Sequence, residues 1–360
     1  MSGSGAVSAA AGNAGAGTAG AGNAAAGNSD AGNAAAGNAG AGTAGGPPWI
    51  SAEQVFGRVG FGAAAAAVRR ALERGFDPAR DFHRGILDVE RGQLLIMPSA
   101  SSEFVGVKIA TVAPGNPARG RERIQGVYLL MDAATLSPLA LIDGAALTTL
   151  RTPAVSAAAA ELLAPAVVEH LVVFGSGPQA WGHVEAMRAI RHVGRVTVVA
   201  RDAGRAGAFA ERLSAGVDAV GAATGAGGVP ATVGSASDVR NAQLIVCATT
   251  ARTPLFDGSL VPVDSCTIAV GSHETDAREL DSALIDRAQV VVEDIAVALR
   301  EGGDVVIPIG EGVLAADSLV TLAAIVTGAM PVDRGRPRVF TSSGMAWEDL
   351  VIAAEVYRRG

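Results

Sequence analysis

The sequence contains very little lysine and cysteine. Among its 360 residues are 28 basic ones, of which 27 are arginine, and Lys108 is the single lysine. Two cysteines, Cys247 and Cys266, cannot form a disulfide framework, so we expect a reducing, cytoplasmic setting. A formal net charge of -7 argues against binding of nucleic acid, because nucleic-acid-binding proteins need a basic surface. The composition therefore excludes disulfide-rich scaffolds and nucleic-acid-binding modules.

Long apolar runs and several familiar site patterns are also missing. No run reaches the roughly 18 apolar residues that span a bilayer, so we expect no membrane partner. The first residues have neither a positively charged segment nor an apolar core, so we expect no secretory signal. No set of His, Cys, Asp and Glu residues has metal-ligand spacing, and G-x-S-x-G is absent. We therefore expect neither a metal site nor a serine-hydrolase site.

Residues 1–48 form a tract of small residues. They include 18 Ala and 14 Gly, a single charge at Asp30 and no aromatic side chain. Because no large side chain is available for burial, nothing offsets the entropy lost when the backbone becomes ordered. We predict a disordered tail that ends at Gly46-Pro47-Pro48. Two interpretations stay open, namely a spacer or interaction tail and a tolerated low-complexity segment without a role.

The rest of the chain changes its pattern near residue 169. Before this point we predict helices over 52–75 and 145–163, with four short β-like runs between them at 93–98, 106–113, 125–132 and 138–143. Short links between such runs indicate a mixed or antiparallel sheet. After this point buried apolar runs alternate with helix-like segments, which is typical of a parallel sheet covered on both faces. A last helix over 345–359 should return to the first domain, so we predict an α/β fold with two domains.

The segment GSGPQA at 175–180 follows a predicted strand and opens a predicted helix. It is the GxGxxA form of the dinucleotide fingerprint, in which the first glycine permits a tight turn and the second lets the backbone approach a pyrophosphate. The helix N-terminus then offers N–H groups to the phosphates. The predicted cofactor-binding residues here are Gly175, Gly177, Pro178, Gln179 and Ala180. The alternative is an ordinary glycine turn of an α/β domain.

The end of the second strand of this unit bears on the choice between NAD and NADP. Sites for NAD place Asp or Glu there to hold the ribose 2′-hydroxyl. In this sequence Ala200 occupies the position, and Arg201 is suited to bind a 2′-phosphate. We therefore favour NADP(H). Asp202 lies one residue later and keeps NAD(H) possible.

The single lysine, Lys108, lies in an apolar predicted strand. An ammonium group in such a place is costly unless it is paired. One interpretation is chance, since a chain that is strongly biased to arginine can retain one lysine. The other is that a site requires a compact ammonium group whose pKa can shift, which a planar guanidinium cannot replace. The position favours the second interpretation and makes Lys108 a candidate catalytic and substrate-binding residue.

Three further residues are candidates for the site. Arg151 lies in the largely uncharged helix over 145–163, where an anion such as a substrate carboxylate would explain it better than solvent does. Arg84 is a weaker candidate, because a solvated loop arginine is an equally good interpretation. His273 follows the strand that ends at Gly271, and ligands bind at such carboxyl ends, which makes it a candidate acid or base.

Several segments together resemble the ornithine cyclodeaminase/mu-crystallin family. They are MPS (97–99), VKIATVAPGN (107–116), PLALIDG (138–144), LTTLRTPAVSA (147–157), VFGSGPQA (173–180), AVGSHETDARELD (269–281), EGGD (301–304) and VFTSSGMAWEDL (339–350). The similarity covers about residues 50–358. In combination and in this order, the segments are quite specific for the family.

The resemblance implies a discontinuous α+β substrate-binding and dimerisation domain, formed by residues 49–152 and 325–360. Residues 153–324 would form a Rossmann-type NAD(P)-binding domain, and the protein would be a homodimer. By the same resemblance Arg151 corresponds to the arginine that binds the substrate carboxylate, Lys108 to the active-site lysine, and Arg84 to a second substrate arginine. The implied cofactor contacts are Thr152, Gly175, Gly177, Gln179, Arg201, Thr249, Val270 and Ser342.

One departure from the family pattern bears on the reaction. Ornithine cyclodeaminases carry a catalytic aspartate in a GGD or GAD segment, where this sequence has Gly271-Ser272-His273. The sequence is therefore more similar to the imine-reductase branch. The expected activity is NAD(P)H-dependent reduction of a small cyclic 2-imino acid, such as 1-pyrroline-2-carboxylate or 1-piperideine-2-carboxylate, to the L-amino acid. The alternatives are a cyclodeaminase, an alanine-dehydrogenase-like enzyme and a non-catalytic NADPH-binding protein.

Overall fold

The structure is a computed structural model that describes residues 46–217 and 227–360. The predicted tail, apart from its last three residues, therefore lies outside the described residues. Within the described residues, no helix combines the length and the apolar composition that crossing a bilayer requires.

The strands of the described chain belong to two sheets. In chain order they are β1 (Trp49–Ile50), β2 (Gly85–Val89), β3 (Gly92–Ala100), β4 (Phe104–Val112), β5 (Ile124–Asp132), β6 (Pro138–Asp143), β7 (Val168–Phe174), β8 (Val193–Val199), β9 (Ala231–Val233), β10 (Leu244–Cys247), β11 (Cys266–Ala269), β12 (Gln289–Val292), β13 (Val320–Thr321) and β14 (Arg338–Thr341).

The α-helices of the described chain pack against these sheets and against one another. In chain order they are α1 (Ala52–Arg58), α2 (Phe61–Glu73), α3 (Gly144–Leu163), α4 (Pro178–Ile190), α5 (Ala203–Ala215), α6 (Ser282–Arg287), α7 (Ile295–Glu301), α8 (Gly303–Gly310), α9 (Leu322–Val326) and α10 (Ala346–Arg358).

The first sheet has the strand order β1-β6-β5-β4-β3-β2. Its neighbouring strands are antiparallel, except that β1 lies parallel to β6. Helices α3 and α10 pack against the sheet, and α2 packs on both helices. The sequence pattern predicts β3 to β6 but misses β1 and β2. The reason is that β1 has only two residues and every residue of β2 is exposed, so neither strand shows an alternating pattern.

The helix predicted over 52–75 is interrupted in the structure. Ser51 and Gln54 form a capping box at the start of α1. Val59 and Gly60 then have extended backbone conformations, and Gly60 is the N-cap of α2. The prediction of one continuous helix is therefore wrong at this point. Glycine is unfavourable inside a helix, and the extended Val59 side chain is fully buried, so a break costs little here.

The second sheet is parallel throughout, with the order β13-β12-β14-β11-β10-β7-β8-β9. The strands β7, β10, β11 and β12 are almost completely buried, which is why they appear in the sequence as unbroken apolar runs. The predicted Rossmann-type α/β class is confirmed by this sheet.

The C-terminal segment divides between the two sheets. Strand β14 lies inside the parallel sheet, between β11 and β12. Only the helix α10 that follows packs on the first sheet, against β3, β4 and β5. The segment 325–360, predicted to belong to the first domain, thus contributes one strand to the second sheet. The proposed division of the chain into two domains stays a prediction.

Helix α3 connects the two parts of the fold and is held firmly at its C-terminal end. It packs against β5 of the first sheet and against β11 and β14 of the second. Arg334 donates to the carbonyl groups of Leu162, Leu163 and Ala164, and Arg338 donates to Leu163. Cations at a helix C-terminus satisfy its last carbonyl groups. This anchoring fixes the helix that carries Arg151.

Candidate active site

Lys108 lies on the inner face of β4, between the sheet and the helices. Its Nζ atom is 2.7 Å from Oδ2 of Asp349 and 3.3 Å from Oγ1 of Thr148. Lys108 and Asp349 are both buried. Asp349 lies in the first turn of α10, and Thr148 lies on α3. The single ammonium group of the protein is therefore paired inside the fold, at the place where the sheet and two helices meet.

Burial lowers the pKa of Lys108 from 10.5 to about 8. The carboxylate of Asp349 opposes this shift, and the nearby charge of Arg151 adds to it. Desolvation disfavours the charged form of an amine, while a paired carboxylate favours it. The amine is thus poised to gain or lose a proton near physiological pH, which an arginine could not do.

Arg151 faces the same space from α3. Its Nη1 atom is 2.6 Å from Oε2 of Glu348, and its Nε atom is 3.5 Å from Oδ1 of Asp349. The backbone of Gly344 crosses directly over the guanidinium at a φ of +77°, and a Cβ atom on Gly344 would lie 2.4 Å from Nη1. Only glycine fits this conformation and this distance without strain. Adjacent residues of α10, Glu348 and Asp349, therefore hold the two predicted substrate cations.

Arg84 contacts the same backbone segment. Its Nη1 atom donates to the carbonyl groups of Ser343 and Gly344, at 3.4 Å each. Its Nη2 atom forms an ion pair with Glu301, the last residue of α7. Burial, followed by the charge of Arg151, lowers the pKa of Arg84. Arg151 and Arg84 are thus brought together at Gly344. Lys108 and Arg151 share the carboxylate of Asp349.

A small cavity opens beside Arg84. Its apolar lining includes the side chains of Phe82, Met97 and Met345. Its charged lining consists of Asp81, Arg84, Asp294, Arg300 and Glu301. Gly344 also lines it, so the cavity reaches the backbone that covers Arg151. A concave site that combines apolar side chains with charged groups of both signs can hold a small polar molecule.

His273 lies in the loop after β11, near the same cations. Its side chain is exposed to solvent. Desolvation first, and then the charges of Arg84 and Arg151, lower its pKa to about 4. The imidazole is therefore neutral at physiological pH. The neutral imidazole can form hydrogen bonds or accept a proton, but it is not an imidazolium that could donate one.

The GxGxxA turn has the geometry that a pyrophosphate requires. Gly175 has a φ of +112°, and a Cβ atom there would lie 2.5 Å from the carbonyl oxygen of Ala248. Gly177 is the N-cap of α4 without a side-chain cap, and its missing Cβ would point into open space. Ala180 is buried close to Gly175. The free helix N-terminus and the open space over Gly177 fit a dinucleotide phosphate.

Two residues that follow β8, Arg201 and Asp202, bear on the choice between NADP(H) and NAD(H). Asp202 accepts a hydrogen bond from the backbone N–H of Arg205 at 2.9 Å and so caps α5. Arg201 is exposed, and no ion pair or hydrogen bond to another described residue engages its guanidinium. Asp202 therefore has a structural partner already, whereas Arg201 is available to a ligand.

The remaining predicted cofactor residues lie near the carboxyl ends of the central strands. Thr249 follows β10, Val270 follows β11 and Ser342 follows β14, while Thr152 follows Arg151 on α3. The buried Glu279 accepts hydrogen bonds from the N–H groups of Thr249 and Gly271, at 2.9 and 2.8 Å. It thereby fixes two neighbouring strand ends relative to each other. The roles of Thr152, Thr249, Val270 and Ser342 in cofactor binding stay predictions.

The sequence pattern does not predict the carboxylates of this site. Glu348 and Asp349 lie within the segment 339–350 and Glu301 begins EGGD, but neither segment assigns them a role. Glu293, which follows β12, accepts hydrogen bonds from the hydroxyl of Ser342 and from the N–H groups of Ser343 and Gly344. The signal that could have found them is charge balance, because buried cations require buried anions.

The chain is similar in sequence and in fold to known proteins. The model of the ornithine cyclodeaminase/mu-crystallin family matches residues 54–360. A Delta(1)-pyrroline-2-carboxylate reductase of Bacillus cereus is 35% identical over 310 residues, which cover 82% of this chain and 90% of that protein.

Two solved structures share the fold over most of their length. The Delta(1)-pyrroline-2-carboxylate reductase of Thermococcus litoralis, in complex with NADH and L-proline, aligns with a TM-score of 0.79 and 29% identity over 87% of this chain and 97% of that one. An archaeal alanine dehydrogenase dimer with bound NAD aligns with a TM-score of 0.78 and 25% identity, over 87% of this chain and 95% of that one.

Proposed function

The chain belongs to the ornithine cyclodeaminase/mu-crystallin family, and on this premise we propose that it is an NAD(P)H-dependent oxidoreductase that reduces a small cyclic 2-imino acid to the L-amino acid. The observation that carries the proposal is the convergence of Lys108 and Arg151. Both are buried, and both are held by consecutive carboxylates of α10. They supply one tunable ammonium and one guanidinium to the same small space, as an imine and its neighbouring carboxylate require.

Each side chain has a definite part in this reaction. Arg151, with Arg84 at the same backbone segment, holds the substrate carboxylate through charge-assisted hydrogen bonds. Lys108 lies beside the imine nitrogen and keeps it polarised or protonated, while Asp349 holds Nζ in place. The dinucleotide, when bound at 175–180, supplies the hydride. Fixing the imine carbon by its carboxylate gives the reaction the orientation that it needs.

His273 enters the proposal as a neutral group. It occupies the position of the aspartate that cyclodeaminases carry, and its neutral imidazole cannot supply the negative charge of that aspartate. We therefore assign it a hydrogen bond to the substrate or the acceptance of a proton, rather than proton donation from an imidazolium. The absence of the aspartate favours imine reduction over cyclodeamination.

Turnover of imino acids tests the proposal directly. Oxidation of NADPH and NADH is measured with 1-pyrroline-2-carboxylate and with 1-piperideine-2-carboxylate, and we expect turnover of at least one of them to the L-amino acid. Ammonia release from ornithine would instead establish a cyclodeaminase. Reduction of NAD with alanine would establish an alanine-dehydrogenase-like enzyme. Cofactor binding without turnover of any imine would contradict the proposal and support a non-catalytic binding protein.

Preference for NADP(H) is the finer part of the cofactor proposal. Support comes from the exposed Arg201 at the end of β8 and from the engagement of Asp202 in a helix cap. We expect Arg201→Ala to raise KM for NADPH by about tenfold or more, because a hydrogen bond to a charged group contributes about 1.5–3 kcal/mol. KM for NADH should hardly change.

Arg119→Ala is the matched control for Arg201→Ala. Arg119 is also exposed, and it lies between β4 and β5 of the first sheet. This variant should leave KM for both cofactors unchanged. Equal losses of NADPH and NADH affinity in Arg201→Ala would show that the guanidinium does not discriminate between the two cofactors.

A homodimer formed through the first sheet is a further part of the proposal. Lys108 and Met97 point toward the helices, so Ile96, Ile109 and Val127, which pair with one another in the sheet, point away from them. On that outer face Ile96 is 38% exposed and Ile109 is 43% exposed. Contiguous exposed apolar surface of this kind marks an interface. The archaeal alanine dehydrogenase is likewise described as a dimer.

We expect Ile109→Glu to convert the dimer into a monomer, because a carboxylate placed in an apolar interface is costly to desolvate. The molar mass measured by light scattering after size-exclusion chromatography checks this. Val263→Glu is the control, since Val263 is also exposed but lies outside the first sheet. A wild-type chain that is monomeric at all accessible concentrations would contradict the dimer.

We also propose that the protein works in a reducing, cytoplasmic setting. Cys247 and Cys266 are both free and buried. Burial raises the pKa of the Cys266 thiol to about 12, so this thiol stays protonated and unreactive. Such cysteines are compatible with a compartment in which thiols remain reduced.

A further inference from the structure

The segment 342–344 leaves the second sheet directly beside Glu293. Glu293 follows β12 and Ser342 follows β14, and these two strands are parallel neighbours, so both residues lie at the carboxyl edge of the sheet. Ser342 still belongs to the ladder of the sheet, because its N–H group donates to the carbonyl group of Ala269 in β11. Beyond Ser342 the backbone turns toward α10, and its buried N–H groups need acceptors of another kind.

Glu293 supplies these acceptors. Its Oε1 atom accepts from the hydroxyl group of Ser342 at 2.5 Å. Its Oε2 atom accepts from the N–H groups of Ser343 and Gly344, at 3.2 and 3.0 Å. Glu293, Ser342 and Ser343 are all buried, so these hydrogen bonds are shielded from water. One carboxyl group thus holds three consecutive residues of the connection between β14 and α10.

The same connection carries contacts of both substrate arginines. One peptide group joins Ser343 to Gly344, and its N–H donates to Glu293 while its carbonyl oxygen accepts from Arg84. A hydrogen bond on one side of a peptide group polarises it and strengthens the bond on its other side. A Cβ atom on Gly344 would lie 2.4 Å from Nη1 of Arg151, so the backbone lies directly against this guanidinium. Glu293 therefore fixes the backbone that both guanidinium groups contact.

From these contacts we infer that Glu293 is a positioning residue for the substrate carboxylate, and that it acts through the backbone of Gly344 on Arg151 and Arg84. The inference rests on the proposed function, because it concerns the same carboxylate subsite. A carboxyl group suits this task, since its two oxygen atoms accept several hydrogen bonds at a fixed distance from each other. A shift of the bound substrate by about 1 Å is enough to lower the rate of a reaction by about 10²-fold.

Glu293→Ala removes all three hydrogen bonds to the segment 342–344. We expect kcat/KM for the imino acid to fall by about 10- to 100-fold. The loss should appear mainly in KM, because the arginines move while Lys108 keeps its partner Asp349. Steady-state kinetics measure the loss, and an unchanged KM would overturn the inference. If this variant does not fold, Glu293→Asp replaces it with the same expectation, because its side chain is one methylene shorter.

Glu293→Gln separates position from charge. Its amide oxygen can accept from the N–H groups of Ser343 and Gly344, and its amide nitrogen can donate to the hydroxyl oxygen of Ser342. We therefore expect this variant to restore KM for the imino acid to within about threefold of the wild-type value. A change of about tenfold or more in either direction would show that the charge of Glu293 matters rather than its hydrogen bonds, which would overturn the inference.

A double-mutant cycle with Gly344→Ala distinguishes an effect through Gly344 from a general loss of stability. If Glu293 acts through this glycine, the two losses overlap. The variant that combines Glu293→Ala with Gly344→Ala should then lose at most about threefold more kcat/KM than the more impaired single variant. Losses that multiply would show that Glu293 acts elsewhere and would contradict the inference.

Glu279→Ala is the matched control for this cycle. Glu279 is also buried, and it also accepts from one hydroxyl group and two N–H groups, but these belong to Thr249 and Gly271. Whatever loss it causes should multiply with the loss caused by Gly344→Ala, because changes at sites without shared contacts are independent. An equal overlap in this control would mean that the cycle reports only on stability, and the inference would fail.

Binding of pyrrole-2-carboxylate distinguishes failure of the inference from failure of the proposed function. Absence of imine turnover by the wild-type chain would refute the proposed function. The dissociation constant of pyrrole-2-carboxylate then replaces KM in all of these comparisons, because binding of a carboxylate to Arg151 needs no hydride transfer. We expect this constant to rise by about tenfold or more in Glu293→Ala and to recover in Glu293→Gln. A wild-type chain that binds no such carboxylate would overturn the inference as well.

Discussion

Replacing Lys108 by arginine is expected to lower kcat for imine reduction by roughly 10²- to 10⁴-fold, the range in which positioned acid–base groups contribute. The ammonium of Lys108 is buried between Asp349 and Thr148. A guanidinium keeps the positive charge but is larger, planar and always protonated, so it can neither occupy the same point nor release a proton. Steady-state kinetics with the imino acid and either cofactor measure the loss.

The affinity for the cofactor should not change in Lys108→Arg, because Lys108 lies on β4 of the first sheet and the GxGxxA turn follows β7 of the second. Cofactor fluorescence titration and thermal unfolding therefore serve as controls for folding. A variant with near-normal kcat would show that Lys108 is merely the last lysine of an arginine-rich chain. A variant that fails to bind cofactor would have to be replaced by Lys108→Met, which adds no bulk and removes the charge.

The same residue predicts a pH dependence. The pKa of Lys108 is lowered to about 8, so the ammonium form is present below this pH and is lost above it. If the charged form polarises the imine, kcat/KM should fall as the pH rises through about 8. This alkaline limb should be absent from the residual activity of Lys108→Arg, whose guanidinium does not titrate. An activity that instead rises through this range would mean that the neutral amine acts as a base.

Much of the site was predictable from the sequence because its positive members are locally unusual. Lys108 stands out as the single lysine, Arg151 as a charge in an apolar helix, and the 175–180 turn by its glycine spacing. The carboxylates do not stand out locally. Glu348 contacts a residue 197 positions away in the chain, and Asp349 contacts one 241 positions away. Such pairings depend on how α10 packs on α3 and on β4, which no local pattern reveals.

The fold was predictable to a similar extent and for similar reasons. Long buried strands such as β7 appear as continuous apolar runs, and β3 to β6 have recognisable lengths. The four residues of β14 are too few to show a strand pattern, and the helix after them suggests the first sheet. Their place between β11 and β12 is set by hydrogen bonds to strands that lie earlier in the chain. Short strands of this kind are determined by tertiary contacts rather than by their own composition.

Gly344→Ala is expected to lower kcat/KM for the imino acid by about 10²-fold, although it adds a single methyl group. The new Cβ atom would lie 2.4 Å from Nη1 and 2.7 Å from Nη2 of Arg151, so the guanidinium must move. The φ of +77° adds backbone strain for alanine. The same residue also donates its N–H to Glu293 and offers its carbonyl group to Arg84. The methyl group would thus disturb both arginines that bind the carboxylate.

The loss should appear mainly in KM for the imino acid, with KM for the cofactor unchanged, because Gly344 covers Arg151 rather than the GxGxxA turn. Gly57→Ala is the matched control. Gly57 lies in α1, and a Cβ atom there meets no other atom within 4 Å. Alanine is the better helix former, so this variant should keep full activity and unfold at an equal or higher temperature. If Gly344→Ala bound the imino acid as tightly as the wild-type chain, Arg151 would not be the group that holds the carboxylate.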